Sequence, residues 1–182
     1  MGIYKEKREN TRNNLIDAFW KLYEKENIDR IKVKDITDKA GYNRATFYVH
    51  FKDVYDILQC IEDKLLESFD YEQIDIDNLN QKDRLIQSIN IFSSNERYFR
   101  VLLSSKGDPH FVEKCKKILR DHFYSFSNND DNHIEQNTDL ITEYIIGGLL
   151  NCILYWFEVK PYSYEELFDK LYKLIITCQQ NI

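Results

Sequence analysis

Ile31–Leu58 reads IKVKDITDKAGYNRATFYVHFKDVYDIL. Val33, Ile36 and Ala40 recur at i, i+3 and i+7, which sets them on one face of a helix. Gly41 follows, the residue that enters the left-handed conformation at least cost and so ends helices. Asn43 can then cap a second helix through its side-chain oxygen. That helix carries Arg44, Ala45, Thr46, Tyr48 and His50 on its more polar side, with Phe47 and Phe51, four apart, on the other. A helix, a short glycine-containing turn and a second helix is the layout of a DNA-reading helix-turn-helix.

Outward from this stretch the chain reads as helices throughout. Residues Met1–Asn10 are charged and expected to fray. A first helix follows to about Lys25, with Leu15, Ala18, Phe19 and Leu22 as its apolar stripe. Beyond the quoted motif, Asp53 can cap a long helix to about Tyr71, with Leu58, Ile61, Leu65 and Phe69 on one face. Residues 72–81 are polar and read as a linker. A helix from about Lys82 turns Leu85, Ile86, Ile89 and Phe92 inward, and a short one spans Glu96–Ser104. Pro109 starts the next, which runs to about Phe126 after the break Lys106-Gly107-Asp108-Pro109. An Asn/Asp-rich loop is expected over 127–133. Two apolar helices close the chain, over Gln136–Phe157 with Gly147-Gly148 inside it, and over Tyr164–Gln179 with Leu167, Leu171, Leu174, Ile175 and Cys178. The fold class is all-α, with a helix-turn-helix domain over 1–52 and a helical body over 53–182.

Composition agrees with this division. Five Gly and two Pro in 182 residues favour long helices over a many-turned β fold, and 43% hydrophobic residues suffice for a core. The net charge of −6 hides a split: residues 1–52 hold 12 Lys/Arg against 8 Asp/Glu, and the rest hold 13 against 23. A basic head on an acidic body fits a protein that touches DNA with one end. Cys60, Cys115, Cys152 and Cys178 form no CxxC pair and read as reduced thiols in a cytoplasmic protein. The charged N-terminus has no signal-peptide pattern. The uncharged stretch Tyr144–Phe157 is shorter than the ~20 residues that span a bilayer, so it reads as a helix buried in protein, with no membrane partner. No glycine-rich phosphate loop, HExxH or GxSxG occurs, and His50, His110, His122 and His133 lack metal-ligand spacing with the cysteines. Neither enzyme activity, a cofactor nor a metal is expected.

DITDKAGYNRATFYVHFKDVYDIL resembles the signature of the TetR family of bacterial transcriptional regulators, above all in Thr46-Phe47-Tyr48 and His50-Phe51. The strong match covers roughly residues 8 to 60. The later stretch from YFRVLLSSKGDPHF to IIGGLLNCILYWFE is similar, more loosely, to the C-terminal domain of regulators of the dihydroxyacetone-kinase type. The resemblance implies a homodimer, paired through the last two helices, that binds a palindromic double-stranded DNA operator as a repressor. It implies backbone contacts at Tyr48 and His50, with Lys5, Lys7, Arg8 and Arg12 near the backbone. By their own chemistry Arg44 suits a guanine edge or a phosphate, Ala45 a thymine methyl and Thr46 a phosphate or a thymine, and Lys32 and Lys52 can reach phosphate. A small-molecule effector would sit in the body, with Phe92, Tyr98, Phe99, Leu102, His122, Tyr144, Trp156 and Phe157 as candidate lining. Two departures stand out: Lys32 replaces the usual Ser/Thr cap, and Val54 replaces a frequent phosphate-anchoring Lys. They keep open an alternative, a co-activator or interaction protein whose body binds a kinase-like partner.

Overall fold

The computed structural model describes residues 2–68, 81–127 and 138–180. Phe69, the linker at 72–80 and the loop at 128–133 lie outside these residues. The chain divides into two compact units, Met1–Leu65 and Leu66–Ile182. Among the described residues every regular element is helical.

The first unit holds α1 (Gly2–Tyr23), a one-turn 3₁₀ helix (Ile28–Arg30), α2 (Val33–Ala40), α3 (Arg44–His50) and most of α4 (Val54–Glu67). The expected fraying of the first ten residues is corrected: α1 is helical from Gly2. Lys, Glu and Arg are good helix formers, so a charged, solvent-exposed turn can be helical without packing. Leu15, Ala18, Phe19 and Trp20 of α1 are buried along with Ile36, Phe47, Phe51, Ile57 and Ile61 as the core of this unit, with α2 packed on α1 and on α3. Burying each large side chain is worth roughly 1.5–3 kcal/mol, which is what holds two helices as short as α2 and α3 in place.

The joints follow local chemistry. Gly41 takes φ 74° at the end of α2, and its N–H and that of Tyr42 both donate to the Thr37 carbonyl. Asn43 Oδ1 accepts from the Thr46 N–H at 2.8 Å and starts α3. Asp53 Oδ1 accepts from Tyr55 N and Asp56 N, both at 2.9 Å, and so caps α4 as its sequence suggested. The missing cap at Lys32 is compensated in part. An ammonium cannot accept a hydrogen bond, but Asp35 Oδ2 accepts from the Lys32 N–H at 3.1 Å, the return half of a capping box.

The second unit holds α5 (Gln81–Ser94), α6 (Glu96–Leu102), α7 (Pro109–Ser127), α8 (Thr138–Val159) and α9 (Tyr164–Gln180). α5 packs on α6 and α9, and α8 on α7 and α9. Phe92, Phe99, Phe111 and Phe168 form an aromatic cluster, with Phe92 and Phe99 4.6 Å apart between ring centres. Gly107 is forced: a Cβ there would stand 1.9 Å from the Leu102 carbonyl oxygen. Asp108 Oδ1 accepts from the His110 N–H and opens α7 at Pro109. Glu96 ties the start of α6 to α8 and α9 through Lys160 and the Tyr164 hydroxyl.

Two expectations about facing change here. Ile86, expected inward, is 44% exposed, and Leu174 of the last apolar helix is 54% exposed. Leu140–Val159 of α8 is 20 residues long with a mean hydropathy of 1.5, long and apolar enough by those measures to cross a membrane, where the shorter uncharged stretch was not. In the fold one side of α8 is core, through Ile145, Ile146, Leu150, Ile153, Trp156 and Phe157.

Candidate nucleic-acid interface

α3 is seven residues long, and its position depends on two aromatic anchors. Phe47 is wholly buried and Phe51 nearly so, with their rings 5.9 Å apart. Anchoring that face turns the opposite one outward. Arg44, Ala45, Tyr48 and Val49 stand exposed there, Tyr48 at 59% and Val49 at 64%. Residues 44/48 and 45/49 are i,i+4 pairs, so the four form one patch. Tyr48 meets the Phe47 ring edge-on, which fixes its direction while leaving its hydroxyl to solvent.

Val49 was missed in the sequence because it fills the variable position of Thr-Phe-Tyr-x-His. The helical period that picked out Arg44 and Ala45 also selects it. Thr46 is only half-exposed, and its hydroxyl donates to Asn43 Oδ1 at 3.0 Å. It therefore offers a methyl group and oxygen lone pairs outward. Lys32 and Lys52 are exposed at the start of α2 and just after α3. Val54 is buried, so the position where the resembled family often has Lys points into the core here.

His50 takes a different side from the patch. It is half-buried and shares a cleft with Lys5, Arg8, Glu9 and Arg12 of α1. Burial, then the positive charges of Arg8 and Arg12, push its pKa below the ordinary 6.5, with Glu9 opposing. Arg12 lies 5.2 Å over the Phe51 ring and donates to Cys60 Sγ at 2.7 Å. Beside the turn, Asn14 Nδ2 donates to the Tyr42 hydroxyl at 3.0 Å, and this bond lowers the Tyr42 pKa. Tyr55 donates to Asp29 Oδ1 at 2.7 Å and has its pKa raised by that bond, so α4 is tied to the 3₁₀ turn.

The body residues named as ligand lining divide differently. Phe99, Leu102, Trp156 and Phe157 are buried core side chains, and Phe92 and Tyr98 are half-buried. Trp156 donates to the Tyr162 carbonyl at 2.8 Å and lies against Tyr164. Tyr144 does not join them: it is 74% exposed on the outer side of α8. The side chain of His122 lies outside the described residues, as does that of Cys178. Cys60, Cys115 and Cys152 form no disulfide. Among the described residues no three His, Cys, Asp or Glu gather where they could hold a metal ion.

A model of the bacterial regulatory proteins of the tetR family matches residues 15–59. A second, of a transcriptional regulator C-terminal region, matches 79–177, more than half of the chain. The HTH-type transcriptional regulator TtgR of Pseudomonas putida is 31% identical over 67 residues, 37% of this chain and 32% of TtgR. The probable HTH-type regulator ArpR of the same species matches to the same extent, so the likeness spans about a third of these curated relatives. Among solved structures, a TetR transcriptional regulator from Streptococcus agalactiae 2603V superposes with a TM-score of 0.70 at 18% identity, over 95% of this chain and 97% of that one. The dihydroxyacetone kinase operon activator DhaS gives 0.62 at 19%, over 92% and 94%. FadR from Bacillus subtilis, crystallised with stearoyl-CoA, gives 0.66 at 16%, over 91% and 97%. At these identities the structural likeness speaks to the fold.

Proposed function

We propose that this chain, which belongs to the tetR family of bacterial regulatory proteins, acts in the cytoplasm as a homodimeric repressor, each copy reading one half of a pseudo-palindromic operator through α3. Members of the family are transcriptional regulators and not enzymes. The observation that carries the finer reading is the outward patch of α3. Arg44, at its N-terminal end, can pair bidentately with a guanine edge, and Ala45 and Val49 suit a thymine methyl. Tyr48 would donate to a phosphate, and Thr46 would offer its methyl. Lys32, Lys52 and His50 would hold the backbone on either side, fixing register without reading sequence.

The dimer reading rests on the outer side of α8. Leu140, Tyr144, Tyr155 and Val159 are large and more than half exposed, and Gly148 and Asn151 stand exposed between them. Each glycine inside a helix costs about 1 kcal/mol relative to Ala. A Cβ built at Gly147 or Gly148 meets nothing within 4 Å in the protomer, so packing inside one copy does not require the pair. A second copy of α8 crossing closely at Gly148 would give both the bare helix and the apolar stripe a physical purpose. A small-molecule effector of the body would act by favouring one spacing of the two reading heads, and only to the extent of its differential affinity.

The test is binding of the full chain to DNA from upstream of its own gene over a salt series. Binding should weaken steeply as salt rises, because phosphate contacts release counterions. Arg44→Ala and Tyr48→Ala should each weaken it by about tenfold or more, the scale of one good base-edge or charge-assisted contact, while circular dichroism stays unchanged. Parent-like binding by both variants would remove α3 as the reading element.

A further inference from the structure

The cleft between the start of α1 and the end of α3 joins Lys5, Arg8 and Arg12, three cations, with one carboxylate, Glu9, and one titrating group, His50. Arg12 is held in place there by the Phe51 ring and by Cys60 Sγ. Its charge is therefore fixed beside the imidazole. Lys5, Arg8, Glu9 and Arg12 are the charged groups facing His50 from α1, the element that forms the other wall of the cleft.

We propose that His50, placed against the phosphate backbone by the DNA-binding reading, takes up a proton as a phosphate enters this cleft, so that DNA affinity rises as pH falls. The proposal rests on the DNA-binding reading of this head. In the free protein, burial and the charges of Arg8 and Arg12 oppose protonation of His50. A phosphodiester brings a full negative charge among those arginines and offsets their repulsion. It also accepts hydrogen bonds, and imidazolium has two N–H donors where neutral imidazole has one. The pKa of His50 in the complex therefore exceeds its value in the free protein.

The sign follows by linkage. A group whose pKa is higher in the complex contributes affinity that is fully present below its free-state pKa. That contribution is lost as pH rises through the bound-state value. The free value lies below 6.5, so the loss begins under that pH and extends upward to the bound value. One proton per head gives at most about a tenfold change in affinity per pH unit per head.

The experiment measures the Kd of the full chain for upstream DNA at constant ionic strength, from about pH 5.5 to about 8, the range in which an imidazole titrates. The same series is run on His50→Gln, which keeps a donor but does not titrate. The other three histidines are common to both proteins. The parent should tighten several-fold per pH unit on acidification, and His50→Gln should lose that slope. DNA binding with equal slopes in the two proteins would overturn the proton uptake and leave the DNA-binding reading standing. No binding by the parent at any pH or salt would overturn both.

Discussion

Asn43→Ala isolates what starts the reading helix. Asn43 Oδ1 accepts two hydrogen bonds, from the Thr46 N–H at 2.8 Å and from the Thr46 hydroxyl at 3.0 Å. The first satisfies an otherwise free helix donor and is worth about 1 kcal/mol, and the exposed second adds roughly 0.5 kcal/mol. α3 has seven residues, so little else in its own backbone compensates. The loss of about 1.5 kcal/mol corresponds to roughly tenfold faster local opening. Amide hydrogen exchange of the full chain, followed on a peptide covering α3, reads that factor directly. Asn43→Asp is the paired control. It accepts the same two bonds and places a negative charge at the helix N-terminus, where the helix dipole favours it. Its exchange should match the parent or be slower, yet its DNA binding should weaken, because the new charge sits next to Arg44 on the face proposed to meet phosphate. Exchange in Asn43→Ala within twofold of the parent would refute the argument that this cap defines α3.

Gly148→Leu should break self-association while helicity stays equal or rises, because within one copy its side chain meets open space; sedimentation against concentration measures it. Gly107→Ala should cost roughly 1–3 kcal/mol, because its Cβ would overlap the Leu102 carbonyl and force the backbone apart; thermal unfolding reads this as a lower Tm. Glu96 has its carboxyl held below the ordinary 4.5, chiefly by the hydrogen bond from Lys160, with burial opposing and Tyr164 assisting. A depressed carboxylate stabilises above its unfolded value and loses that contribution as pH falls through the folded one. Stability should therefore drop as pH falls below about 4.5, and Glu96→Gln should flatten that part of the profile in urea titrations at stepped pH.

The order of helices was legible because its signals are local. A glycine at φ 74°, an asparagine three residues before the N–H it caps, and an aspartate doing the same for α4 are each settled within about four residues. Pro109 and Asp108 start α7 by the same chemistry. Charge misled at α1, where a solvated run of Lys, Glu and Arg read as fraying although those residues favour helix. Periodicity also had a limit. It shows which residues share a face and leaves open whether that face is covered. Ile86, read as facing inward from its apolar period, stands exposed, as do Leu174 of the last apolar helix and Tyr144, which the resemblance had offered as ligand lining.

By itself the sequence determined the helix-turn-helix: its two short helices, the turn between them, and Phe47 and Phe51 as the anchored side. Those features depend on dihedral preference, capping and a four-residue period, all written in consecutive residues. Only the tertiary structure decided that Val49 joins Arg44 and Tyr48 on an open patch and that His50 turns into the α1 cleft. It alone showed that Arg12 is fixed by Cys60, 48 residues away in sequence. Each of these depends on which surface a distant segment covers, and that follows from burial of the whole core.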